Sequence, residues 1–174
     1  MTAQPGPFLH HVCIVVEDLA RTREFYVGVL GCTEIVRPTD FTFLGAYFAL
    51  GGGEIHVVQE ATPGRLRDNP PNWGADELKT GLVAHFALWV PEVAPYIERL
   101  RATGQDRVGG YRVRDDYVEQ VYIADPDGNV IELLQQHDET AGRLRRQEIF
   151  DDGTAVPVAP GHDLIDPRQK YGAF

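Results

Sequence analysis

Two stretches of this chain can be laid over two others. HHVCIVVEDLA, residues 10–20, runs against AHFALWVPEVA, residues 84–94, and places His11 on His85 at an offset of 74. GGGEIHVVQE, residues 51–60, runs against DGNVIELLQQ, residues 127–136, and places His56 on Glu132 at an offset of 76. A self-similarity at a near-constant offset constrains the fold more than any single motif, because each copy must build the same unit of structure.

The intervening residues give the content of each unit. LHHVCIVV, residues 9–16, is rich in β-branched side chains and predicts a buried strand. EDLARTREFYVGVLG, residues 17–31, predicts a helix capped by Asp18, with Leu19, Phe25, Tyr26, Val29 and Leu30 roughly on one face and Gly31 at its end. TEIVRP, GAYFAL and EIHVVQE follow as short strands, the last two joined by a turn at Gly51, Gly52 and Gly53. In the second copy GLVAHFALWV is a strand, PEVAPYIERLRATG a helix ending at Gly104, and GGYRVRD, YVEQVYIAD and NVIELLQQ are strands, with DPDGN as a tight turn before the last. The expected fold class is α+β, two βαβββ modules at 8–60 and 81–136 forming a shared curved-sheet cleft. Residues 61–80 read as a linker with at most one helical turn. The first domain is expected over 1–137, and residues 138–174 as a C-terminal helix capped by Asp138 followed by an extended Pro- and Gly-rich tail, either bland or lying over a partner subunit.

Strand alternation sorts the side chains. His11, Cys13 and Val15 share one face of the first strand, and His10, Val12, Ile14 and Val16 the other. Glu54, His56 and Val58 share a face of the fourth strand, Val83, His85, Ala87 and Trp89 of the fifth, and Val130, Glu132 and Leu134 of the last. Each of these four strands therefore presents one imidazole or carboxylate among mostly apolar neighbours. A lone strand histidine is ordinarily a half-buried packing residue. Four such groups at repeat-equivalent positions point instead to a divalent transition metal held by three neutral imidazoles and one carboxylate. Two octahedral positions would remain for substrate or water.

Composition narrows the partners. The formal net charge of -10 opposes nucleic-acid binding, which needs clustered Lys and Arg, and equally serves solubility. No apolar run approaches the ~20 residues of a membrane span. No signal-peptide pattern opens the chain, and two cysteines make no disulfide framework, so a cytoplasmic location is expected.

HHVCIVVEDLARTREFYVGVLG and DPDGNVIELLQQ resemble the opening and closing signatures of the vicinal oxygen chelate superfamily. That superfamily includes glyoxalase I, methylmalonyl-CoA epimerase, extradiol dioxygenases, fosfomycin-resistance enzymes and bleomycin-binding proteins. The resemblance covers about residues 8–136. It implies metal ligation by the His seven residues before the Asp of the DL pair, here His11 before Asp18, and by His85 and Glu132. His56 stands where glyoxalase I carries Glu, and RPTDFTFLGAYFALGGGEIHVVQ is most similar to a glyoxalase-I-like subgroup. The implied cofactor is one divalent ion (Fe, Zn, Ni, Mn or Co), and the implied partners are a small-molecule substrate and a second copy in a homodimer.

Three functions compete. The first is an isomerase or lyase acting on vicinal oxygens, with Glu132, Glu54 or Tyr122 as the acid–base groups. The second is an Fe(II) extradiol-type dioxygenase using His11, His85 and Glu132, for which a fourth ligand at His56 removes an open position. The third is a metal-free drug-binding resistance protein, which has no need of four inward polar groups. Glu119 lies on the opposite strand face from Tyr122 and Gln120, and either face could line the cleft. Cys13 is expected to pack as a small apolar residue, Trp73 and Trp89 to wall a pocket or fill the core, and His137 and His162 to be exposed.

Overall fold

In the computed structural model, residues 9–64, 74–105 and 107–151 are described; Trp73, His162 and the tail beyond 151 lie outside them. The chain forms an α+β fold of two four-stranded mixed sheets. Two compact units result. The first takes residues 1–72 together with 99–105 and 125–129, and the second takes the remainder.

In the first unit, β1 (His11–Val16) pairs in parallel with β4 (Gly53–Gln59), which pairs antiparallel with β3 (Gly45–Leu50), which pairs with β2 (Thr33–Ile35). In the second, β5 (His85–Trp89) runs parallel to β8 (Val130–Gln136), followed by β7 (Val118–Ala124) and β6 (Val108–Val113). The sheet orders β1-β4-β3-β2 and β5-β8-β7-β6 are equivalent, as the internal repeat requires.

Alternation holds along the strands. Ile14, Val16, Ile55, Val57, Ala46 and Phe48 are buried on the helix side of the first sheet, leaving His11, Cys13, His56 and Tyr47 on its open face. Cys13 is exposed there rather than packed as a small core residue. Trp89 is half exposed and does not fill the core.

The first helix starts as expected and then widens. Asp18 Oδ1 accepts the Arg21 amide at 2.8 Å, capping α1 (Leu19–Arg23). Residues Glu24–Val29 continue it as π-helical turns, with the Leu30 amide reaching the Phe25 carbonyl. Phe25, Tyr26 and Val29 are buried in this segment, with Leu30 beside them. Tyr26 donates its hydroxyl hydrogen to Asp125 Oδ2 at 3.1 Å. Asp125 also accepts from the amides of Asp127 and Asn129, closing the DPDGN turn that belongs to this unit.

The second unit holds α2 (Ala75–Thr80), most of α3 (Ala94–Ala102), and α4 (Glu139–Asp151), whose first turn Asp138 caps. The stretch read as a linker thus contains a helix. Leu78 of α2 packs with Tyr122, Ala124 and Val130 on the site-bearing face of β7 and β8. On the opposite face Glu119 is buried, takes Arg145 of α4 at 2.9 Å and His137 at 2.9 Å, and is thereby withdrawn from any acid–base role. His137 is accordingly tucked against Glu119, not exposed. No helix among the described residues is long and apolar enough to cross a membrane.

Candidate metal centre

The strand register explains why the candidate ligands meet in pairs. In the first sheet Cys13 lies opposite His56, and in the second Ala87 lies opposite Glu132. Each later group therefore stands one pleat diagonal to the first, so His11 and His56 share the open face of one sheet, and His85 and Glu132 share the face of the other on which Leu78 of α2 packs, Glu132 being buried there and His85 exposed.

In the first unit the His11 and His56 rings stack with centroids 3.9 Å apart. Tyr47, opposite His56 in the register, stacks on the other side of the His56 ring at 3.6 Å. Glu54 Oε2 lies 2.7 Å from His56 Nε2. A carboxylate accepts, so Nε2 carries the proton and the Nδ1 lone pair is left for a cation. That hydrogen bond is the main cause holding the Glu54 carboxyl below its ordinary range, with the neighbouring histidines adding to it. Glu54 is therefore positioned against a candidate ligand, as outer carboxylates are against metal-binding imidazoles.

His10 departs from the strand rule. It directly precedes β1, its carbonyl accepts the Glu54 amide at 3.1 Å, and its Nδ1 lies 3.0 Å from His11 Nδ1. His10, His11 and His56 bring their ligand nitrogens within 4.8 Å of one another. The doubled histidine is the visible signal; alternation puts His10 on the helix side or at the strand edge, and it stands exposed just before the strand with its ring turned to His11.

In the second unit His85 Nδ1 lies 2.7 Å from the Val83 carbonyl, which can only accept. Nδ1 therefore carries the proton, and Nε2, 3.4 Å from Glu132 Oε2, offers a lone pair to a carboxylate. Two acceptors face each other, an arrangement that a proton or a metal cation resolves. Nitrogen and oxygen donors of this kind fit a divalent transition ion.

Tyr122 stands opposite Glu132 in the register, edge-on to His85 with centroids 5.2 Å apart. Burial first, and the Glu132 charge second, push its hydroxyl up to about 12. It stays protonated near neutrality and receives a hydrogen bond from Gln120 at 3.1 Å. Two glycines admit the ring. A Cβ on Gly81, which caps α2 at φ 74°, or on Gly110, at φ 67°, would overlap Tyr122. Neither glycine stood out in the sequence.

Comparison with known proteins identifies the family and the fold. The chain is 31% identical over 141 residues to the lactoylglutathione lyase of Escherichia coli O157:H7, covering 78% of this chain and 96% of that protein. It is 28% identical over 137 residues to a probable lactoylglutathione lyase of Vibrio cholerae, covering 76% and 93%. Among solved structures, a putative glyoxalase family protein from Bacillus anthracis superimposes with TM-score 0.56 at 24% identity, over 78% of this chain and all of that one. The fosfomycin resistance protein FosX from Listeria monocytogenes does so with TM-score 0.55 at 22% identity, over 78% and 98%. The family model described as Glyoxalase/Bleomycin resistance protein/Dioxygenase superfamily matches residues 8–133, and the chain belongs to that superfamily.

Proposed function

We propose that this protein is a metal-dependent lyase or isomerase acting on a small molecule with two adjacent oxygens, and that His11, His56, His85 and Glu132 hold its one divalent ion. The observation that carries the reading is the repeat-equivalent pairing of His11 with His56 and of His85 with Glu132, each pair on one face of its sheet. The similarity to lactoylglutathione lyases supports the lyase branch.

A divalent ion bound here would supply Lewis acidity to oxygens of the substrate. The protein's own groups divide the remaining work. Glu132 is the carboxylate beside His85 and takes up a proton from the substrate if it leaves the ion. If it stays bound, Glu54, half-buried beside His56, is the remaining carboxylate of the candidate set. Tyr122, protonated near neutrality, donates a hydrogen bond and is not the base. Tyr47 and Glu54 hold the His56 ring.

Elemental analysis of the purified protein, followed by a substrate screen on the metal-loaded form with and without oxygen, tests the reading. Oxygen-independent turnover that disappears with chelation is expected. Turnover that requires oxygen would replace the lyase reading with a dioxygenase. Tight binding of an unmodified drug, equal with and without metal and forming no product, would replace both with a binding protein.

A further inference from the structure

We propose that His10, His11 and His56 form a three-imidazole capture site, within the first unit alone, that binds a divalent transition metal without His85 or Glu132. The proposal rests on the metal-binding reading of His11 and His56 and adds His10, which the four-group set omits.

The geometry supports a ligand role for His10. Its Nδ1 stands 3.0 Å from His11 Nδ1. That contact is a hydrogen bond between the two rings, so loss of the shared proton leaves both nitrogens facing a common point with lone pairs. The His10 ring is perpendicular to the His11 ring and nearly so to His56, at 90° and 80°, whereas His11 and His56 are almost parallel. His10 therefore approaches from a direction the stacked pair leaves open. All three ligand nitrogens lie within 4.8 Å of one another, so modest ring rotations bring them onto one ion.

The surroundings suit a cation. The Glu54 carboxylate, 2.7 Å from His56 Nε2, supplies negative charge while leaving His56 Nδ1 available. Tyr47 braces the far side of the His56 ring. His10 and His11 are both exposed, so an ion reaches them directly from solvent. Three nitrogen ligands with open positions for water is a sufficient set for zinc and its neighbours. Full coordination by the four-group set would then exchange His10 for His85 and Glu132, making His10 a ligand of the loading step.

The test uses the full-length His85→Ala/Glu132→Ala variant, titrated with Co(II) or Ni(II) alone by calorimetry, with Co(II) visible absorption as a second readout. One equivalent is expected to bind, more weakly than to the wild type. Adding His10→Ala should weaken it by a further factor on the order of 100. Circular dichroism checks that each variant is folded, and the exposed position of His10 makes its substitution mild. No binding to the double variant overturns the capture site and leaves the four-group reading standing. Binding that ignores His10→Ala also overturns it. Binding as tight as the wild type, with His10 dependence, supports the capture site and removes His85 and Glu132 from the metal reading.

Discussion

His85 directs its Nε2 at Glu132 Oε2 across 3.4 Å while its Nδ1 lies 2.7 Å from the Val83 carbonyl oxygen. The backbone acceptor decides the tautomer, and the tautomer leaves a lone pair aimed at a carboxylate. Removing either side of this pair should cost metal affinity. Glu132→Ala and His85→Ala are each expected to weaken Zn(II) or Ni(II) binding by more than about 100-fold, beyond the 10–100-fold typical of outer groups. Stoichiometry and affinity unchanged in both variants would place the metal elsewhere.

On the proposed metal reading, Glu54 acts through His56. Glu54→Gln keeps the size of the side chain but offers His56 Nε2 only a neutral carbonyl, so affinity should fall by roughly 10-fold, and Glu54→Ala by up to about 100-fold. Titration calorimetry on both variants measures the series. Equal affinities across the wild type and both variants would reduce the 2.7 Å contact to a surface hydrogen bond.

Gly81 at φ 74° both ends α2 and makes room for Tyr122. Alanine there pays for the left-handed conformation and pushes the ring, for an expected loss of about 2–3 kcal/mol. Combining it with Tyr122→Leu removes the overlap, so the two costs should be less than additive. Strict additivity in urea unfolding would show that Tyr122 does not depend on Gly81.

Glu119 is buried against Arg145 and His137. Arg145→Ala strands that carboxylate, and because Arg145 is partly exposed the loss should sit at about 2–3 kcal/mol, below the range for fully buried pairs. Metal affinity should not change, since Glu119 faces away from Tyr122 and Glu132. A variant that loses metal at full stability would contradict this assignment of faces.

Burial, chiefly, raises the Asp125 carboxyl above its ordinary value, although Asn129 and Tyr26 oppose the shift. The folded protein therefore holds this proton more tightly than the unfolded chain. The corresponding stability is present below about pH 4 and is lost as pH rises through the folded-state value. Asp125→Asn removes the titration while Oδ1 can still accept from the Asp127 and Asn129 amides. Wild-type stability relative to Asp125→Asn should accordingly fall as pH rises from about pH 4 toward neutrality. Melting curves that differ by a constant across this range would show that Asp125 titrates normally.

The sequence by itself determined the repeat, the strand faces and the membership of the candidate set. Alternation and a near-constant offset are local or periodic properties, and they place His11, His56, His85 and Glu132 at equivalent strand positions. It also marked Asp18 as the helix cap, because capping involves residues three apart in the chain. Tertiary structure decided the rest. His10, the residue before β1, still pairs its carbonyl with the Glu54 amide, yet its side chain turns toward His11. His137 and Glu119 pair across 18 residues, and α2 packs Leu78 onto Tyr122 across 44. The widening of the first helix at Glu24 accompanies the burial of Phe25, Tyr26 and Val29, and the Tyr26 hydroxyl finds its acceptor 99 residues away in Asp125. Periodicity reports which way a side chain points within its own strand or helix; what it meets there depends on chain brought in from a distance.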